Sequence, residues 1–72
     1  MDMTDQIVRY VRQIDALQTE TAKHWISARQ SIDDGRMGDT IALLNAYFHL
    51  KQELEGAEAK LASLLHSFYS DK

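Results

Sequence analysis

One feature constrains this chain more than any other: two heptad stripes separated by a single cluster of turn residues. The cluster is Asp33-Asp34-Gly35-Arg36-Met37-Gly38-Asp39, and no other stretch gathers Gly and Asp in this way. Before it, Ile7, Val11, Ile14, Gln18, Thr21, Trp25, Ala28 and Ile32 step by alternating fours and threes. After it, Leu43, Tyr47, Leu50, Leu54, Ala57, Leu61, Leu64 and Phe68 do the same. Such spacing marks the seam of a coiled coil. A strand would need alternation with period two, which neither half sustains. The expected fold is all-α, an antiparallel two-helix hairpin with coiled-coil-like packing. The expected helices cover about 5–34 and about 40–69, with a turn at 35–39 and one domain over 1–72.

Local signals agree. Gly35 suits the left-handed position past a helix end. Asp39 suits the N-cap of the second helix and Thr4 that of the first, with Asp5 well placed against the helix dipole. Folding back at the turn sets Ile7 against Phe68, Trp25 against Leu50, Ala28 against Tyr47 and Ile32 against Leu43. Tyr10 and Leu17 fall on one edge of this stripe, where they either broaden the core or serve a second contact.

A hairpin has one internal seam, and 72 residues leave little else to bury. A chain of this size hides only roughly 60% of its unfolded surface, and with no Cys it has no disulfide to staple it. Apolar residues outside the stripes therefore carry information. Ile41, Leu44 and Phe48 lie well round from Leu43 on the second helix, and Ala62, Leu65 and Tyr69 continue that side. Val8, Ala22 and Ile26 flank the same edge from the first helix. Asp15, Glu55 and Glu58 sit between the two apolar ends, where Asp15 and Glu58 come close as like charges. Large apolar residues on adjoining turns mark association surfaces. The expected partner-binding residues are Ile26, Ile41, Leu44, Phe48, Ala62, Leu65 and Tyr69.

Signals for chemistry are weak. His24, His49 and His66 are far apart in sequence. Glu20 with His24, and His49 with Glu53, each offer one side of a metal site, but three or four converging ligands are needed. In the expected hairpin His24 falls beside Glu53 as a polar flank. The di-metal Glu-x-x-His motif is missing, as is a Gly-rich phosphate loop. No catalytic residue, metal or cofactor is expected, and the chain is read as non-enzymatic. The net charge of −3 and the scattered Lys and Arg argue against nucleic acid. Apolar runs of at most four residues argue against membrane insertion. The first residues lack a secretory pattern, and the expected location is cytoplasmic.

The turn Gly35-Arg36-Met37-Gly38-Asp39, the following Thr40-Ile41-Ala42-Leu43-Leu44, and Leu50 through Leu54-Glu55-Gly56 to Leu61 and Leu64 together resemble the YscE-like family, the small co-chaperones of type III secretion needle subunits. The likeness rests on the turn and second helix; the first helix matches in length and amphipathicity. Trp25 and the Tyr47-Phe48 pair stand outside the shared pattern. The resemblance implies a hairpin that binds a larger tetratricopeptide-type chaperone, the two together holding the needle subunit soluble and unpolymerised. The other reading is a self-associating hairpin, a homodimeric four-helix bundle acting as a dimerisation module or small regulator.

Overall fold

The computed structural model describes residues 3–70. Two helices, α1 (Met3–Asp33) and α2 (Met37–Ser70), pack antiparallel along their lengths. The result is a rod of 56 × 15 × 14 Å with a radius of gyration of 16.4 Å, where a compact globule of this length would show roughly 11 Å. The hairpin expected from the stripes is the fold.

The turn is tighter than expected. Gly35 adopts φ 74°, and around it the last carbonyls of α1 are satisfied. The Gly35 N–H donates to the Ile32 oxygen at 3.1 Å and the Arg36 N–H to the Ser31 oxygen at 2.9 Å. These two bonds form a Schellman motif, with glycine at its left-handed position. The Arg36 carbonyl then accepts from the Thr40 N–H at 3.0 Å, so α2 begins at Met37. Asp39 is therefore inside the first turn rather than its cap. There its carboxylate lies 3.6 Å from the Arg36 guanidinium, near the positive end of the helix dipole. Thr4 likewise lies within α1.

Beside the turn, the Ser31 and Thr40 hydroxyls meet at 2.5 Å. Both residues are almost wholly buried, at 1% and 2% exposure. Ser31 Oγ also reaches the Ala28 oxygen at 2.9 Å, and Thr40 Oγ1 the Arg36 oxygen at 3.0 Å. Two hydroxyl protons serve three contacts. Either Thr40 donates to Ser31 and Ser31 to Ala28, or Ser31 donates to Thr40 and Thr40 to Arg36.

This contact sets the register. Stepping away from it by threes and fours brings Ala28 opposite Leu43, His24 opposite Tyr47, Thr21 opposite Leu50 and Leu17 opposite Leu54. Further on come Ile14 with Ala57, Tyr10 with Leu61 and Ile7 with Leu64. Each of these residues is buried or half-buried. The Trp25 and Tyr47 rings, 5.2 Å apart, fit this register and not the expected one, which faced Trp25 with Leu50. The helices are thus shifted by about one turn from expectation.

The stripe on α2 is the expected one, extended by Thr40. The stripe on α1 is rotated. Tyr10, Leu17, His24 and Ser31 occupy the seam, while Val11, Gln18, Trp25 and Ile32 lie on its flank and are exposed. The polar seam residues on α1 bond back to their own helix. Thr21 Oγ1 donates to the Leu17 oxygen at 2.6 Å, and His24 Nδ1 donates to the Glu20 oxygen at 2.8 Å. His24 is a seam residue, not the flanking partner expected for Glu53.

Two of the three glycines generate opposite expectations. Gly35→Ala should cost about 1–2 kcal/mol, because a Cβ is strained at positive φ although space is open around it. Gly56, inside α2 and equally open, should gain about 0.5–1 kcal/mol as Gly56→Ala. Urea unfolding of both variants gives the signs; equal signs would contradict the turn geometry described.

Candidate functional site

A single helix-helix seam covers small side chains well and large ones poorly. The buried apolar residues are Ala28 and Ala57. Larger seam residues such as Leu17, Leu54 and Leu64 are half-buried, since each has only one facing helix to lean on. The accessible surface is 5416 Å², against about 4,600 Å² for a compact monomer of this size.

The exposed apolar side chains are unevenly placed. The exposed large apolar residues of α1 are Val8, Val11, Trp25, Ile26 and Ile32. Relative to the observed seam, Val11, Trp25 and Ile32 occupy one flank, Val8 the next position round, and Ile26 the one after. On α2 the corresponding side carries Met37, Ile41, Phe48, Leu65 and Tyr69, all exposed, with half-buried Leu44 among them. Antiparallel packing brings these two flanks to the same side of the rod. A groove of about 280 Å³ shows this directly: Trp25, Ala28, Arg29 and Ile32 line it from α1, and Leu44 and Phe48 from α2. Trp25 is 46% and Phe48 56% exposed.

The opposite side is polar. Its grooves are lined by Ser27, Gln30, Arg36 and Asp39 near the turn, and by Gln13, Glu53 and Lys60 further along. No large apolar residue occupies the flank of either helix there.

The apolar side is interrupted at mid-length by Asp15, Glu55 and Glu58. None of these carboxylates has an ion-pair partner within 4 Å among the described residues. Lys51, on the same side, instead holds its Nζ 5.7 Å from the centre of the Tyr47 ring, a cation–π contact. Tyr47 and Phe48 meet edge to face at 5.1 Å, which extends the aromatic surface begun by Trp25.

Six of the seven residues singled out from the sequence stand on this side: Ile41, Phe48, Ala62, Leu65 and Tyr69 are exposed, and Leu44 lines the groove. Ile26 is exposed too, but on the outer face of α1, turned away from the seam. The reading missed Val11, Trp25 and Ile32, which it placed in the seam, and Met37, which it placed in the turn. The signal for the first three was their common phase, one position round from Tyr10, Leu17, His24 and Ser31.

Among the described residues, no group of three or more His, Asp or Glu side chains gathers as metal ligands, and no helix is long and apolar enough to cross a membrane. The molecule's class is thus that of a helical hairpin with one seam, one polar side and one uncovered apolar side. No family model matches the chain, and no curated protein or solved structure does either.

The rotated stripe is directly measurable. Leu17→Ala should destabilise the chain by about 1.5–3 kcal/mol, and Val11→Ala by no more than about 0.5 kcal/mol. Thermal or urea unfolding that reversed this order would restore the stripe through Val11.

Proposed function

We propose that the chain is a non-enzymatic protein-binding hairpin that acts as a co-chaperone. Its apolar side docks on a larger helical-repeat chaperone of the tetratricopeptide type. Through that complex it helps keep a type III secretion needle subunit soluble and unpolymerised in the cytoplasm. The observation that carries the binding role is the gathering of Val11, Trp25, Ile32, Met37, Ile41, Phe48 and Leu65 on one side of the rod, where only Ile26 and Phe68 among the exposed large apolar residues stand clear of it. The choice of partner rests on the resemblance of the turn and α2 to the YscE-like co-chaperones.

The physics suits the role. Helical-repeat proteins expose apolar helix faces at the ends of their stacks, and these need caps. A hairpin with one apolar side is such a cap. Covering it stabilises both proteins by mass action. Phe48, Trp25 and Ile41 form the centre of the contact, since aromatic and large aliphatic anchors carry most of the energy of such interfaces.

Co-expression with a tetratricopeptide-type chaperone and needle subunit tests this. The expected product is a one-to-one complex of hairpin and chaperone that holds the needle subunit in solution. Phe48→Glu or Ile41→Glu should weaken the complex by at least about 100-fold, while Gln13→Lys or Lys60→Glu on the polar side should change it by less than about threefold. Equal losses from both sides, or no complex at all, would contradict the proposal.

A further inference from the structure

The observed hairpin leaves several strong turn and seam signals of its own chain unused. Gly38 and Asp39 lie inside the first turn of α2, where a glycine weakens the helix and Asp39 is already past the capping position. Neither crowding nor backbone conformation requires glycine at 38, since a Cβ there would meet no atom within 4 Å and only Gly35 has positive φ. Trp25 and Ile32 stand outside the seam, 46% and 52% exposed, while His24 and Ser31 stand inside it.

These unused signals agree with one another. Rotating α1 by about 50° on its axis carries Val11, Gln18, Trp25 and Ile32 into the seam and Tyr10, Leu17, His24 and Ser31 out of it. Ile7, Ile14, Thr21 and Ala28 stay, because they belong to both stripes. Sliding α1 along α2 by about one turn then seats Trp25 against Leu50, Ile32 against Leu43 and Gln18 against Ala57. The α2 stripe is kept from Leu43 onward. The link has to lengthen, and it does so by unwinding Met37, Gly38 and Asp39, after which Asp39 caps the shortened helix. One glycine, one cap and two large apolar residues thus fit the same second arrangement.

The two arrangements are close in content. The observed one seats Tyr10 and Leu17 and closes the Ser31 and Thr40 hydroxyls on each other at 2.5 Å. The second trades these for Val11, Trp25 and Ile32 but takes Gln18 into the seam. Packed helices pass between discrete arrangements by one-turn steps, and a buried polar contact is a known device for fixing register.

We infer that the hairpin has a second register, one turn along, in which Trp25 and Ile32 are buried in the seam, and that the Ser31–Thr40 contact holds the chain in the first. The second register dismantles the groove beside Trp25, because Trp25 and Ile32, two of its walls on α1, turn inward. The apolar side is therefore a surface the chain can withdraw, and a partner that docks on it selects the first register. The exchange is a property of the free chain and stands or falls apart from the identity of any partner.

Disulfide trapping in this Cys-free chain tests it, with Ala57, small and buried, as the common position. Ile14→Cys with Ala57→Cys closes in the first register and Gln18→Cys with Ala57→Cys in the second. Ser27→Cys with Ala57→Cys closes in neither and reports unfolding. In a glutathione redox buffer, the Gln18 pair should close within the monomer at least about tenfold faster than the Ser27 pair. Thr40→Val should raise that ratio by a further factor of at least about ten. It should also move the emission of Trp25, the only tryptophan, to shorter wavelength. Gly38→Ala stiffens the turn that must unwind and should slow closure of the Gln18 pair at least about threefold. A Gln18 pair that closes no faster than the Ser27 pair would overturn the inference. So would a closure rate, relative to the Ser27 pair, that either Thr40→Val or Gly38→Ala leaves unchanged.

Discussion

The buried contact between the Ser31 and Thr40 hydroxyls, beside the glycine turn, decides the rest of the structure. Two helices joined by only three residues have little freedom to slide or rotate. Gly35 at positive φ caps α1, and α2 starts two residues later at Met37. The side chains nearest the turn must then be small, since the backbones converge there. Ser31, Thr40 and Ala28 meet that need, and the hydroxyls satisfy one another where an apolar pair would leave a gap. Once Ser31 points inward, the residues at its phase follow: His24, Leu17 and Tyr10.

That rotation has a cost and a consequence. The cost is a seam poorer in apolar bulk near the turn, with His24 and Ser31 where Trp25 and Ile32 were expected. Their polar atoms reach carbonyls of their own helix, as that of Thr21 does, and no buried side-chain nitrogen or oxygen among the described residues lacks a partner. The consequence is that Val11, Trp25 and Ile32 join the flank facing Met37, Leu44 and Phe48. A side that would otherwise be half polar becomes continuous near the turn, and the groove beside Trp25 forms. The continuous apolar side is thus a product of how the turn phases the first helix.

How much of this could be read from the residues alone differs between the helices. On α2, one stripe dominates. Leu43, Leu50, Leu54, Leu61 and Leu64 leave no competing phase, and the seam follows it. On α1, Ile7, Ile14, Thr21 and Ala28 belong to either of two stripes. Hydropathy favours the one through Val11, Trp25 and Ile32 over the one through Tyr10, Leu17, His24 and Ser31. The turn chooses the second, and the geometry of a turn does not show in the periodicity of the helices it joins. The candidate surface was legible from α2 for the same reason: Ile41, Leu44 and Phe48 sit clearly off the stripe. Its α1 half was hidden because its largest members had been assigned to the seam.

If the proposed binding role holds, this protein works through one side only. The absence of Cys makes that directly measurable by thiol labelling of single-cysteine variants, free and mixed with the proposed tetratricopeptide-type chaperone. Cysteines introduced as Ile32→Cys, Ile41→Cys and Leu65→Cys should label at least about tenfold more slowly in the complex, whereas Gln13→Cys, Glu20→Cys and Lys60→Cys should keep their free rates. Protection spread over both sides, or confined to the polar one, would contradict the account.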